Sequence, residues 1–459
     1  MKTEVKPVAD NEVLLEIEVP PEEVQRSYDR TLGRIARETT LPGFRKGKVP
    51  RSMIVGRFGD DYVLNETLQE SLPDWYESAL RSTDVDAVSL PELDLSELKP
   101  GQPYSFTAKV QVRPTPTLGD YKGLQVPKRA VHVGEGQVDA QLAMLQERFA
   151  SLRPVEGREV RAGDFVALDF EGHTDGSPID GAKADNYMLQ VGSGNLVPGF
   201  EGHLVGMKAG EEGRFDIVFP ADYGAEELRD RPATFEVTVR EIKEKVVPEL
   251  TDAFAKDVSE FETVDELRAD VRDRLEKMQA AAVEREFRGR VVDAAVANAT
   301  FAVPLAMVER EAHNLYHDLE ASVGEEDVTM DVYLKVIEKT AEQVEEELKP
   351  RAEMNVRRRL VLDAIRQDEN LEVTDDEVRR RIKADAELIG RNGDQLVLDV
   401  YASGRQGLIR DELLMAKTVD FLVEHAVPTE WTGKDEGAAG ESGPEALEPA
   451  ARARAQATA

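Results

Sequence analysis

The sequence predicts a multidomain α+β protein. A small α+β domain comes first, an antiparallel-β domain follows, and an all-α domain occupies the C-terminal part. Three observations carry this reading. The chain has 459 residues, and about 150 residues per domain implies about three domains. Period-two alternation is concentrated in residues 12–19, 104–112 and 162–244. Apolar stripes of helical period take over from residue 246 to residue 428.

Residues 1–113 form the first domain. Val13, Leu15, Ile17 and Val19 alternate as a strand face, and Pro20-Pro21 ends the strand. Pro21-Glu22-Glu23 then opens a helix, because proline tolerates the first turn and acids complement its partial positive charge. Val24, Tyr28, Leu32 and Ile35 recur at helical spacing. After the loop Leu41–Pro50, two helices separated near Gly59 are expected. Tyr104, Phe106, Ala108, Val110 and Val112 alternate as another strand. Residues 114–161 read as a long connection with one helix, Val138 to Leu152. Residues 162–245 are dense in glycine, with short alternating runs at Phe165–Phe170, Arg214–Phe219 and Thr234–Ile242, the mark of a small antiparallel sheet with tight turns. In residues 246–428, Thr263-Val264-Asp265-Glu266 has the spacing of a capping box. Further helices are expected near Pro304, Met330 and Thr374 and over Leu408–His425. Residues 429–459, rich in Ala, Gly, Glu and Pro, bury too little to offset ordering entropy and read as a disordered tail.

Lys and Arg number 58 against 91 Asp and Glu, a net charge of −33. Most of such a surface repels polyanions and anionic membranes, which argues against a generic nucleic-acid binder. The absence of cysteine rules out disulfides, thiolate metal sites and cysteine nucleophiles. It accords with a reducing cytoplasm, which is the expected location. No stretch of about 18 apolar residues occurs, so no membrane partner is expected.

One segment reverses the charge. Arg45, Lys46, Lys48, Arg51 and Arg57 fall between Thr39 and Gly59 with no acid among them. Gly43 and Gly47 free the backbone, Phe44 offers an apolar anchor, and Pro50 sets the exit into a helix. Basic groups at such a tip pair with phosphates or with a partner's carboxylates. A solvated surface turn uses the same residues. Gly43-Phe44-Arg45-Lys46-Gly47-Lys48-Val49-Pro50 resembles the Gly-Phe-Arg-x-Gly-x-x-Pro signature of the trigger factor family, bacterial ribosome-associated chaperones. The resemblance implies that Gly43, Phe44, Arg45, Lys46 and Gly47 dock beside the exit tunnel, on a ribosomal protein and neighbouring rRNA.

The middle segment carries a second resemblance. Asp169-Phe170-Glu171-Gly172, Ile179-Asp180-Gly181, Leu196-Val197-Pro198-Gly199-Phe200-Glu201-Gly202 and Phe219-Pro220-Ala221-Asp222-Tyr223-Gly224 are similar, in order and spacing, to FKBP-type prolyl isomerases. That likeness implies an FKBP-like fold with a pocket wall of Phe170, Ile179, Tyr187, Leu196, Val197, Phe200, Tyr223 and Phe235. Phe200 would form the floor, Asp180 the polar pocket residue, and the Tyr223 hydroxyl and Val197 N–H would orient the substrate carbonyl. Ile179 departs from the aromatic usual at its position. Such catalysis needs no metal and no cofactor: twisting the amide breaks a resonance barrier of roughly 18–20 kcal/mol, and an apolar pocket disfavours the more polar planar form.

Val246–Ala255 resembles the junction into the helical chaperone domain of the same family. The resemblance implies a cradle that holds nascent and unfolded chains without ATP, with residues 114–161 partly packed on it. A homodimer off the ribosome is also expected. Two other readings use the same residues: a free prolyl isomerase with helical appendages, and a holding protein with a vestigial pocket. His313 and His317, four apart on a helix, lack the acid of a zinc-protease motif and read as helix surface. Gly192–Val197 reads as a turn, and Arg357-Arg358-Arg359 as a solvated helix face.

Overall fold

The computed structural model describes residues 1–39, 49–174, 176–221, 223, 228–325 and 328–431, with Asp180 as backbone alone. These residues form two units. One comprises Met1–Lys128 and the chain from Phe287 onward; the other is Arg129–Glu286.

The first unit opens with β1 (Lys2–Ala9), β2 (Glu12–Val19), α1 (Pro21–Glu38), α2 (Arg51–Phe58), α3 (Asp60–Thr83), β3 (Glu92–Leu95), β4 (Tyr104–Gln111) and β5 (Gln125–Lys128). Strands β1-β2-β4-β3 make one antiparallel sheet. Opposite pairs such as Ile17 with Phe106 and Leu15 with Ala108 place the alternating apolar residues on one face. That face packs with Trp75 and Ala79 of α3. Strand β1 was not legible by alternation, because it is an edge strand with nearly every side chain exposed. Its Lys2, Lys6 and Pro7 suit an edge that must not pair further. A second cluster joins Tyr28, Leu32 and Ile35 of α1 to Val49, Ile54 and Val63. Val49 therefore anchors the chain just after residues 40–48, and Pro50 caps α2.

The second unit holds α4 (Glu135–Arg148), β6 (Ser151–Pro154), β7 (Phe165–Thr174), β8 (Ser177–Gln190), α5 (Phe200–Leu204), β9 (Glu212–Val218), β10 (Pro232–Val246), α6 (Asp252–Val258) and most of α7 (Val264–Ala297). The helix expected to reach Leu152 stops at Arg148. Leu152 lies in β6 and pairs with Lys245 of β10, so cross-strand hydrogen bonds take the backbone that the helical pattern claimed. The sheet has five strands: β10 pairs with β7, β9 and β6, and β8 adds to β7. Val138 and Leu142 of α4 pack with Ala255, Leu267 and Val271. The capping box forms as expected: the Glu266 N–H donates to the Thr263 hydroxyl at 3.3 Å, and the Thr263 N–H to the Glu266 carboxylate at 3.2 Å.

Returning to the first unit, the chain forms α8 (Leu305–Glu325), α9 (Met330–Val336), α10 (Ala341–Asp368), α11 (Asp375–Leu388), α12 (Gly393–Ala402), α13 (Gln406–His425) and β11 (Val427–Glu430). Strand β11 runs parallel to β5, so Thr429 and Glu430 belong to a strand and not to the expected tail. Backbone pairing captures them; residues 432–459 lie outside the described residues. Leu124 and Val126 share a cluster with Val291, Val361, Ile365 and Leu422. The Tyr121 hydroxyl donates to Glu369 at 2.6 Å, and the Asn298 amide to the Asp120 carbonyl at 2.7 Å. Arg358 forks onto Asp293 at 2.6 and 3.0 Å, and Arg357 bonds Glu353, so two of the three arginines hold other side chains.

Thr374 and Glu377 cap α11. The Thr374 N–H and hydroxyl donate to the Glu377 carboxylate at 2.8 and 2.9 Å, and Lys417 adds a contact at 3.2 Å. Those donors, the Thr374 N–H foremost, lower its pKa from 4.5 to about 2. A carboxyl depressed on folding stabilises fully above its unfolded value and loses that contribution as pH falls through the folded one. Glu377→Gln is therefore expected to melt slightly lower than the parent chain at pH 7. The gap should close as pH is lowered from 4.5 toward 2, read by circular dichroism.

Candidate functional site

The site is built around one ring. Phe200 is the first residue of α5 and only 1% exposed. The residue before it, Gly199, has φ +95°, a left-handed turn that a side chain disfavours and that swings Phe200 inward. Three rings meet Phe200 edge to face. Phe170 of β7 lies at 5.7 Å, and Phe215 of β9 and Phe235 of β10 each lie at 5.2 Å between centroids. Such T-shaped contacts set the electropositive ring edge against a neighbour's π-face. Phe170 also meets Tyr187 at 5.9 Å. On the far side Phe219 packs with Tyr223 at 4.6 Å and with Phe235 at 6.4 Å.

Ile179, Phe200 and Phe235 are buried members of one apolar cluster, and Phe170, Leu196, Val197 and Tyr223 pack half-buried against it. Tyr187 joins through Phe170 and is more exposed. The structure thus brings together every wall residue expected from sequence. The side chain of Asp180 lies outside the described residues, as do Gly43, Phe44, Arg45, Lys46 and Gly47. Phe215 and Phe219 were missed as pocket neighbours, although Phe215, Ile217 and Phe219 alternate within Arg214–Phe219, a signal that put them on one face.

The polar frame around the cup is explicit. The Glu201 carboxylate accepts the N–H groups of Gly194 and Asn195 at 3.2 and 3.1 Å, and that of Gly192 as well. The Ser193 hydroxyl also donates to it, at 3.2 Å. Burial pushes the Glu201 carboxyl upward, but the donors from Gly194, Gly192, Ser193 and Leu196 outweigh it and hold the group below its usual range. The loop carrying Leu196 and Val197 is thereby tied to the helix that starts at Phe200. The Val197 carbonyl accepts the Phe200 N–H at 3.0 Å. Asp169, next to Phe170, accepts the Asn186 N–H at 2.7 Å and the Arg240 guanidinium at 2.6 Å; led by the Asn186 bond, these hold its pKa down.

The arrangement is an apolar, aromatic cluster with a half-buried tyrosine packed against it. Among the described residues, no group of three or more His, Asp or Glu side chains is placed to hold a metal.

Comparison with known proteins bears on the whole chain. Residues 1–145 match the family model described as bacterial trigger factor protein, and residues 263–424 match the model of its C-terminus. Residues 156–240 match FKBP-type peptidyl-prolyl cis-trans isomerase. The trigger factor of Moorella thermoacetica is 38% identical over 442 residues, covering 96% of this chain and 98% of its own. That of Geobacillus kaustophilus is 40% identical over 417 residues, covering 91% and 97%. The chain belongs to the trigger factor family. It is a ribosome-associated chaperone of that family and carries an FKBP-type peptidyl-prolyl isomerase domain. A solved trigger factor chaperone, studied for promiscuous substrate recognition in folding and assembly, matches 92% of this chain and 99% of its own. It does so at 22% identity with a TM-score of 0.53, a likeness of fold. Among the described residues, no helix is long and apolar enough to cross a membrane.

Gly172 tests the packing of the cup. A Cβ there would lie 2.7 Å from the Phe235 ring and 3.0 Å from the Ala182 Cβ. Gly172→Ala should displace Phe235 and lower prolyl isomerase activity several-fold in a peptide assay, with the two-unit fold retained by circular dichroism.

Proposed function

We propose that the cup around Phe200 is the prolyl isomerase site, with Phe170, Ile179, Asp180, Tyr187, Leu196, Val197, Phe200, Tyr223 and Phe235 as its residues. The convergence of the wall side chains on Phe200 carries this reading. A proline ring entering the cup leaves water, and its amide enters a surrounding of low polarity. The planar amide is more dipolar than the twisted one, so the transition state loses less on desolvation than the ground state. The Tyr223 hydroxyl and the Val197 N–H hold the substrate carbonyl while the C–N bond turns. No covalent step occurs, and no cofactor takes part.

Phe200 and Tyr223 separate packing from orientation. Phe200→Ala removes the floor and should abolish most activity, at a stability loss of about 3–5 kcal/mol. Tyr223→Phe keeps the ring and removes one hydrogen bond. It should lower kcat/KM roughly tenfold, the equivalent of about 1.4 kcal/mol, with an unchanged melting temperature. Equal activity of parent and Tyr223→Phe in a prolyl-peptide assay would remove the hydroxyl from the mechanism.

We further propose a division of labour along the chain: ribosome binding in residues 1–113, a connection in 114–161, isomerisation in 162–245 and client holding in 246–428. The basic stretch centred on Gly43, Phe44, Arg45, Lys46 and Gly47 docks on an exit-tunnel protein and neighbouring rRNA. Its charge sign, opposite to that of the chain as a whole, supports this. Client holding is supported by large apolar side chains left exposed on six of the described helices, among them Met278, Leu305, Met354, Leu388, Leu398 and Leu408. Scattered weak contacts of this kind hold chains of any sequence by multivalency. In the same reading the protein is cytoplasmic, and a homodimer off the ribosome covers part of that apolar surface. Phe44→Ala/Arg45→Ala/Lys46→Ala should lose salt-sensitive co-sedimentation with ribosomes while keeping isomerase activity. Equal sedimentation of the triple variant would reduce the stretch to a surface turn.

A further inference from the structure

Two histidines that spacing alone assigns to helix surface converge in the structure. His313 and His317 lie one turn apart on α8, each more than half exposed. Their Nε2 atoms stand 3.1 Å apart, with ring centroids at 4.5 Å and planes at 79°. Each Nδ1 faces a carboxylate: His313 meets Glu345 of α10 at 2.9 Å, and His317 meets Glu320 at 3.0 Å. A carboxylate can only accept, so each Nδ1 carries its proton and donates it. In the neutral rings both Nε2 atoms are then left as lone pairs pointing into the same small space. Two lone pairs at that distance repel unless something bridges them, either a proton shared as an N–H···N hydrogen bond or a metal ion held by both nitrogens.

We propose that His313 and His317 form a binding site for an imidazole-seeking divalent transition-metal ion of the nickel, copper and zinc group. An ion held about 2.1 Å from both nitrogens would see them at an angle of about 95°, close to neighbouring positions of an octahedral or tetragonal ion. The Glu345 and Glu320 carboxylates fix the tautomer and ring orientation, the arrangement that metal-ligating histidines commonly show. Among the described residues no third side chain completes the set, so water fills the remaining positions. Glu345 belongs to α10, which packs on α8 through Val308, Ala312 and Ala352. An ion on the two rings therefore also braces the α8–α10 pair.

The test is calorimetric titration of Ni2+ into the untagged full chain, with excess Mg2+ present to occupy the exposed carboxylates. The expected result is one Ni2+ per chain, with affinity at least tenfold weaker in His313→Ala and in His317→Ala. Both rings are exposed and alanine favours helix, so the variants should keep the parent circular dichroism spectrum. Glu345→Gln should bind one ion about tenfold more weakly, and His132→Ala should bind like the parent. Ni2+ should also raise the melting temperature of the parent chain, because a ligand bound to the native state alone stabilises it. His313→Ala should show no such rise. Absence of binding to the parent chain, or binding that survives both histidine substitutions, would overturn the site. Undiminished affinity in Glu345→Gln would overturn the role given to the carboxylate.

Discussion

The chain leaves the first unit at Lys128 and re-enters it at Phe287, and the Lys128 ammonium sits 4.8 Å over the Phe287 ring. Strand β5, just before the exit, pairs with β11 at the far end of the described chain. Leu124 and Val126 fill the same apolar cluster as helices α7, α10 and α13. The N-terminal sheet and the C-terminal helices are thus parts of one discontinuous unit, and residues 129–286 are an excursion whose ends are held together. An excursion of that kind can carry a complete small domain, since closing its ends costs the inserted sheet none of its own pairing.

Within the excursion the aromatic cup is built by burying one phenylalanine among other rings. Phe200 is reached from three strands and from its own turn, so its position is over-determined. The carboxylate next to it, Glu201, faces the other way and gathers backbone donors from Gly192 to Asn195. Here it becomes the clamp that presents Leu196 and Val197 to the cup.

Much of this was legible in the residues. Alternation at Glu12–Val19 and Tyr104–Val112 marks central strands, since each buries one face; Phe165–Phe170 is central too, but there Val166, Ala167 and Leu168 are buried in succession. The capping box at Thr263–Glu266 formed as its spacing implied. The wall of the cup was legible because the motifs at Phe170, Leu196–Phe200 and Tyr223 keep their order. Strand β1 was not legible, because an exposed edge strand has no buried face to impose a pattern. The helix end at Arg148 is not legible in the sequence, because Leu152 fits a helical stripe as well as it fits a strand partner. Phe215 and Phe219 escaped notice although their alternation was visible. Nothing local says that the face they share is the one turned to Phe200.

The sequence by itself determined the order of the segments, the charge reversal between Thr39 and Gly59, and the residue types of the cup. Each is a local property, written in neighbouring side chains and in backbone preferences at Gly and Pro. Only the tertiary structure decided which distant segments meet. It paired β5 with β11 across three hundred residues of chain, placed Phe235 against Gly172, and set Glu345 of α10 against His313 of α8. Those meetings depend on packing and on hydrogen bonds between residues far apart in sequence. No window of periodicity contains both partners.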